Sequence, residues 1–302
     1  MELANEHELS LIKKYRQGIW SRFLKGVKEY KLIEEGDRIA VCISGGKDSM
    51  LMAVCMKRLQ RYSKVPFEVE YLVMDPGYDE VNLQKIIDNA RELEIPIKIF
   101  KTQIFRSVVN VKNNPCYLCA RMRRGYLYKN AMDLGCNKIA LGHHFDDVIE
   151  TILMGMLYGS QVQTMMPKIH SENFEGMQLI RPLYMVREDD IISWAKYNGL
   201  EFIQCACLMT KNNKVEEDGS STSKRHEIKL LLRKLRANNP AVDMNIFRSV
   251  ENVNLQTIIS YHIGDEYHHF LDEYDKGRSV RGTVAEGAPP AIGKEDSSEG
   301  GE

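Results

Sequence analysis

No stretch of this sequence approaches the ~18 consecutive apolar residues that a membrane span requires. Its first ten residues, MELANEHELS, are polar and acidic where an export signal would carry an apolar core. Both absences point to the cytoplasm and away from a membrane. One sign of charge does not dominate either: 41 basic against 42 acidic side chains leave a formal net charge of −1, so total charge identifies no partner. An even cysteine count is also missing. Seven cysteines in 302 residues, without an export signal, argue against a disulfide framework and for thiols that fill a core, ligate a metal or act as nucleophiles. No internal repeat is present.

What is present is a chain 43% hydrophobic and 27% charged, long enough for one sizeable α/β core plus an extension. Residues 38–44 read RIAVCIS, an apolar run of the kind buried on both faces of a parallel sheet. Residues 67–74, 95–100 and 138–141 are further strand candidates, and 8–30, 50–62, 81–93 and 119–134 have helical character. Strands alternating with helices predict an α/β fold built on a doubly wound parallel sheet, with helical N- and C-terminal extensions. Beyond Pro182 helices are expected at 187–198, 223–236 and 255–274. From residue 276 onward Gly, Ser, Glu and Pro dominate, and such a segment cannot bury enough apolar surface to offset ordering entropy. The expected organisation is a basic N-terminal helical segment (1–34), a nucleotide-binding core (35–185), a C-terminal helical region (186–275) and a disordered tail (276–302).

Charge is placed unevenly along this chain. Residues 11–31 carry Lys13, Lys14, Arg16, Arg22, Lys25, Lys28 and Lys31 against Glu29 alone, and residues 221–236 carry Lys224, Arg225, Lys229, Arg233, Lys234 and Arg236 against Glu227. Either segment reads as a solvated amphipathic face or as a surface for nucleic-acid phosphates.

Ser44-Gly45-Gly46-Lys47-Asp48-Ser49 lies between the first buried strand and a helix, where an open α/β sheet binds ligands. Two glycines let the backbone approach phosphate oxygens, successive N–H groups form an anion nest, and the helix start adds its positive end. It is not a Walker A loop: Val41 stands where the first glycine would be, and Asp48 follows the lysine. It resembles the SGGKDS signature of the PP-loop ATP pyrophosphatases, which cleave ATP between the α and β phosphates and transfer AMP to an oxygen.

Three more segments narrow the resemblance: Pro115-Cys116-Tyr117-Leu118-Cys119-Ala120-Arg121-Met122-Arg123-Arg124-Gly125, Ala140-Leu141-Gly142-His143-His144-Phe145-Asp146-Asp147, and the pair Cys205 and Cys207. Together with Glu34-Glu35-Gly36-Asp37-Arg38 they look like the tRNA 2-thiocytidine synthetases, from about residue 33 to about 236. The resemblance implies thiolation of cytidine 32 of tRNA with ATP, Mg²⁺ and a [4Fe-4S] cluster. Sulfur would come from a donor such as a cysteine desulfurase or inorganic sulfide, and a homodimer is left open. Lys47, Asp48 and Asp147 are the expected catalytic residues. Ser44, Gly45, Gly46, Lys47, Asp48, Ser49, Gly142, His143 and Asp146 would bind ATP. Arg121, Arg123, Arg124, Lys224, Arg225, Arg233 and Lys234 would hold tRNA.

On its own, Cys116-x-x-Cys119 reads as a redox dithiol, half of a zinc site or part of an iron–sulfur site. Cys205 and Cys207 would complete a four-cysteine zinc set. Three cysteines on a cubane leave one iron open, with sulfide as its natural occupant, and Cys205 is the expected third ligand with Cys207 as the alternative. Only Ala206 separates those two, a closer spacing than the family pattern. Cys42, Cys55 and Cys136 read as small core hydrophobes. One of Asp146 and Asp147 should cap a helix, while both carboxylates would also suit magnesium. Two rivals remain at this point: another PP-loop tRNA-modifying enzyme of the 2-thiouridine or lysidine type, and a zinc-stabilised tRNA- or nucleotide-binding protein without turnover.

Overall fold

A computed structural model describes residues 5–108, 115–203 and 224–274. Cys205, Cys207 and the tail from residue 276 lie outside them, and of Cys116 only the backbone is described. The described residues fall into two compact units, divided between Phe247 and Arg248.

The first unit holds a six-stranded sheet. Its strands are β1 (Arg38–Ile43), β2 (Glu68–Asp75), β3 (Ile97–Lys101), β4 (Lys138–Ala140), β5 (Lys168–His170) and β6 (Gln178–Ile180), in the order β3-β2-β1-β4-β6-β5. All neighbours pair in parallel except β5, which runs antiparallel to β6 at the edge. The expected doubly wound parallel sheet is therefore present with one antiparallel edge strand. β5 and β6 are three residues each, too short for an alternation pattern to stand out. Chain order reverses between β1 and β4, so their carboxyl ends flank the crevice where such sheets bind ligands.

Helices cover both faces: α1 (Glu6–Ile12), α2 (Ser21–Glu29), α3 (Lys47–Tyr62), α4 (Glu80–Glu92), α5 (Ile104–Val108), α6 (Pro115–Asp133), α7 (Phe145–Gly159), α8 (Glu188–Tyr197), α9 (Lys224–Asn238) and α10 (Val242–Ser249). The single helix expected over 8–30 is broken by a π-helical turn, Arg16–Trp20. Gly18 in that turn lies so close to α8 that a Cβ there would sit 2.6 Å from Asp190 Oδ1. The basic residues of this N-terminal stretch face outward while Leu11, Ile19, Phe23 and Leu32 enter the main core beside Trp194. Each fully buried side chain of that size contributes about 1.5–3 kcal/mol. Trp194 Nε1 donates to Ser10 Oγ at 2.9 Å, and Arg58 reaches the buried Glu8 at 2.6 Å, which ties α1 to α8 and α3.

The second unit corrects the helix expected over 255–274. It contains a 3-10 turn (Leu255–Thr257), a hairpin of β7 (Ser260–Ile263) and β8 (Glu266–His269), and a short α11 (Leu271–Tyr274). Gly264, at φ +60°, turns the chain between the strands, and Tyr261 stacks on His268 across them at 4.8 Å. A left-handed glycine and cross-strand aromatic pairs outweighed the apparent helical spacing.

The Glu34–Arg38 motif has a structural role. Lys138, 1% exposed in the middle of the sheet, places its ammonium 2.7 Å from Asp37, 3.2 Å from Glu34 and 3.2 Å from the Leu32 carbonyl. Asp37 also accepts from Asn137 Nδ2 at 2.8 Å and from the Glu34 amide at 2.6 Å. Removing one partner of a buried pair strands the other charge, which costs about 3–5 kcal/mol. Asp37→Ala is therefore expected to lower unfolding stability by about that amount in urea titration; near-wild-type stability would contradict the buried pairing.

Candidate active site

β1 ends at Ile43, and the next three residues turn into α3 without a side-chain cap at Gly46. The first amides of α3 are thus left facing an open space, as an anion site requires. Ser49 holds the loop from behind: its Oγ accepts from the Ser44 amide at 3.1 Å, lies 3.2 Å from Ser44 Oγ and donates to the Gly46 carbonyl at 3.0 Å. Gly45 adopts φ +83°, and a Cβ there would lie 2.6 Å from Ile86 and 2.7 Å from Ile203. At Gly46 a Cβ would meet only Ser44 Oγ, at 3.7 Å.

Across the crevice, residues 141–144 lead from β4 into α7. Gly142 lets this loop pack tightly on the start of α3, since a Cβ there would sit 3.0 Å from the Ser49 amide nitrogen. His144 caps α7: its Nδ1 accepts from the Asp147 amide while the Asp147 carboxylate accepts from the His144 amide, a reciprocal capping box. The expected capping acid is therefore neither aspartate at the N-cap itself, although Asp147 completes the box. A cavity of about 410 Å³ brings together Ser44, Asp48, Ser49, Gly142, His143, Asp147, Arg123 and Arg124. A second, of about 620 Å³, opens on the other side of the loop beside Lys47, Tyr78, Arg123 and α8. Asp146 lines neither: it accepts from the Glu188 amide at 2.7 Å and from Arg236 at 2.6 Å.

The electrostatics centre on Lys47, whose ammonium lies 3.1 Å from Asp48 and 3.1 Å from Glu188. Burial opposes the charged lysine, but these two carboxylates prevail and raise its pKa. Burial would likewise raise Glu188; Lys47 and then Lys229 override it and hold that carboxyl at about 2. Glu150, 2% exposed, shows the opposite balance: burial raises it despite Lys229 and Arg225 nearby. His143 lines the crevice with a buried Nδ1 that lacks a hydrogen-bond partner. Burial, reinforced by the Arg181 charge, pushes its imidazole down to about 4, so it is neutral near pH 7. Arg181, 8% exposed at the end of β6, is itself lowered to about 10 by burial.

The expected tRNA cations separate into two groups. Arg225 is engaged with Asp147 at 3.2 Å and Glu150 at 3.5 Å, and its neighbours Lys229 and Arg236 pair with Glu188 and Asp146. Lys224 lies over the Tyr158 ring, while Arg233 and Lys234 are exposed. On α6, Arg121, Arg123 and Arg124 have no carboxylate within ion-pair distance among the described residues. Cys119 is buried against Met74, Ile104 and Phe105 on the same helix. Burial pushes the Cys42 thiol up to about 12 and Cys136 up to about 11, and raises Cys55 as well, as core thiols should be. Among the described residues no group of three His, Cys, Asp or Glu side chains is placed to hold a metal ion. Glu188 and Arg181 were not singled out by the sequence, and Lys229 only as one cation of the basic segment 221–236; Glu188 starts α8 among three acids, which reads only as a complement to the helix dipole.

Fold and loop define the class: a PP-loop nucleotide-binding protein, and the PP-loop domain family model (ATP_bind_3) matches residues 18–208. The tRNA-cytidine(32) 2-sulfurtransferase of Geobacter sulfurreducens is 35% identical over 233 residues, covering 76% of this chain and 87% of that one. Its counterpart from Shewanella woodyi is 32% identical over 298 residues, covering 97% and 89%. The chain belongs to the tRNA-cytidine(32) 2-sulfurtransferase family. Among solved structures, the U34-tRNA thiolase NcsA from Methanococcus maripaludis with its [4Fe-4S] cluster superposes with a TM-score of 0.61 at 20% identity, covering 83% of each chain, a likeness of fold.

Two outcomes are expected of the site. Gly45→Ala forces a left-handed residue into Ile86 and Ile203 and should destabilise the protein by more than the ~1–2 kcal/mol of the backbone alone. Gly46→Ala should melt like wild type yet lose ATP affinity in calorimetry, because its methyl occupies the space phosphate must enter. Equal ATP binding by Gly46→Ala would displace the phosphate site. His143, by contrast, is tested by pH. Its folded value of about 4 lies below the ordinary 6.5, so the unfolded chain takes up the proton first. That contribution to stability is full above about 6.5 and is lost as pH falls towards 4. NMR titration should find the ring neutral at pH 5.5; a midpoint near 6.5 would contradict its burial.

Proposed function

We propose that this chain is an ATP-dependent tRNA sulfurtransferase that adenylates cytidine 32 on its 2-oxygen and replaces that oxygen with sulfur. The reading is carried by one observation: a single cavity is lined at once by Ser44, Asp48 and Ser49 of the phosphate loop, by His143 and Asp147, and by Arg123 and Arg124, which have no carboxylate partner among the described residues. In the first step the base oxygen bonds to the α-phosphorus as the bond to the β-phosphate oxygen breaks, and pyrophosphate leaves. Lys47 and the amides at the start of α3 take up the charge that develops on it. Asp48 and Asp147, which both line this cavity, would hold Mg²⁺, whose charge would help neutralise the phosphates. His143, neutral and with an unused nitrogen, bonds the nucleotide or the base without adding charge. In the second step a sulfur nucleophile bonds to C2 and AMP departs with the former base oxygen.

Sulfur delivery is assigned to the thiolates of Cys116, Cys119 and Cys205, with Cys207 as the alternative to the last. The surroundings of Cys119 suit a soft thiolate ligand: its neighbours are Met74, Ile104 and Phe105, and the following residue, Ala120, lines the nucleotide cavity. A [4Fe-4S] cluster bound there by three thiolates would supply an iron with an open coordination position and affinity for sulfide. The donor is a cysteine desulfurase or inorganic sulfide, and the compartment is the cytoplasm. The core domain spans 35–185, the C-terminal region 186–275 contributes the third cysteine, and the segments 1–34 and 276–302 flank them. Arg121, Arg123 and Arg124 take the RNA backbone, with Lys224, Arg233 and Lys234 outside them and Arg225 shared with Asp147.

Nucleoside analysis of tRNA from a deletion strain should show loss of 2-thiocytidine, restored by the wild-type gene and not by Lys47→Ala. Cys119→Ala should also fail to restore it while still releasing pyrophosphate in the presence of tRNA, because activation and sulfur delivery use different residues. Anaerobically purified protein should contain iron and labile sulfide. Unchanged 2-thiocytidine in the deletion strain, or one tightly held zinc, would overturn the reading.

A further inference from the structure

A third cavity, of about 630 Å³, opens between α6 and the β5–β6 hairpin, lined among others by Arg121, Arg124, Tyr128, His170, Asn173 and Phe174. It shares Ala120 and Arg124 with the cavity of the phosphate loop, so the two adjoin across one turn of α6. Its chemistry is distinctive. Arg121 and Arg124 lack a carboxylate partner among the described residues, and Glu172 is the one acid in the lining. Phe174 stacks on the buried Tyr128, with centroids 5.0 Å apart and planes 17° from parallel. The hairpin loop that carries Phe174 is tied down: the Met177 amide donates to the Phe174 carbonyl at 3.1 Å, and the Ser171 amide to the Met177 carbonyl at 2.9 Å. His170 is fixed opposite Gln178 in the strand register.

We propose that this cavity is a subsite for the single-stranded nucleotide flanking the base under modification. The proposal rests on the tRNA-thiolation reading and extends it to a place in the fold that the phosphate loop does not reach. A base can enter the crevice only after leaving the stack of its loop, and its neighbour then loses a stacking partner. Phe174, backed by Tyr128, supplies a replacement surface. Arg121 and Arg124 receive the intervening phosphates, and Arg124, bordering both cavities, keeps the strand continuous between them. His170 and Asn173 offer donors and acceptors to the edge of the flanking base. Unpaired guanidinium groups beside a fixed aromatic face form the combination that single-stranded RNA recognition uses, since every base presents a π-face.

Binding of full-length protein to an unmodified tRNA transcript, measured across a salt series, tests this directly, with thermal unfolding as the folding control. Phe174→Leu retains apolar packing on Tyr128 but removes the aromatic face, and should weaken binding about fivefold or more with an unchanged salt slope. Arg121→Ala should weaken binding and flatten that slope by about one, because one phosphate contact is lost. The exposed pair His170→Ala and Asn173→Ala, made together, should weaken binding without flattening the slope. Wild-type affinity in both Phe174→Leu and the His170/Asn173 double variant would sink the subsite, whatever Arg121→Ala does. A wild-type protein that binds tRNA yet forms no 2-thiocytidine would instead refute the activity, and the same binding series would still decide the subsite.

Discussion

The structure is organised around a requirement that backbone amides at the start of α3 stay without protein partners while the loop that presents them keeps one shape. Satisfying those amides internally would fill the phosphate site, and leaving the loop unsupported would let it collapse onto them. Support therefore comes from behind and from the sides. Ser49 Oγ bonds three loop groups from within the helix, Gly45 is wedged in a left-handed conformation against Ile86 and Ile203, and Gly142 lets the β4 end approach the Ser49 backbone to van der Waals contact. Each contact leaves the front of the loop open.

A site prepared for polyphosphate concentrates positive charge, and without its ligand that charge must be balanced. Glu188 and Asp48 balance Lys47, and Glu188 in turn draws in Lys229 from α9. Arg225 and Arg236 of the same helix reach Asp147 and Asp146 on α7. Half of the cations on this basic helix, Arg225, Lys229 and Arg236, are thus committed to carboxylates around the crevice, while Arg233 and Lys234 stay exposed. Lys47 and Asp147 border cavities on the two sides of the loop, which share Ser44, Asp48 and Arg123, so a polyphosphate bound along the loop would compete for these pairs.

The strand-loop-helix at residues 38–62, its glycines and lysine, and the second loop at 141–147 were legible because each couples local backbone geometry to a few residue types over a short span. What could not be read was non-local. Asp146 and Asp147 are adjacent and chemically identical, yet one turns to α8 and α9 while the other borders the cavity, a difference set by the helical rotation of 100° per residue and by what packs there. The separation of Arg225 from Arg233 and Lys234 has the same origin. The hairpin at 260–269 escaped because alternating aromatics and histidines are compatible with either period over so few residues, and β5 and β6 escaped because three-residue strands carry almost no pattern at all.

One helix carries the consequence furthest. On α6 the side chains of residues 119 or 120, 123 and 127 recur with helical spacing along one face, and Ala120, Arg123 and Leu127 do line the nucleotide cavity. Cys119 borders that face, about one helical turn, ~5.4 Å, before Arg123. Arg121 and Arg124 are rotated towards the hairpin cavity, and Arg124 reaches both. A rigid element thus sets the spacing between the Cys119 thiol and the arginines that line the two cavities. Under the proposed function, displacing that rod would move the sulfur-delivering cysteine and the RNA-facing arginines together, a coupling that a single continuous segment provides and residues dispersed over separate loops would not.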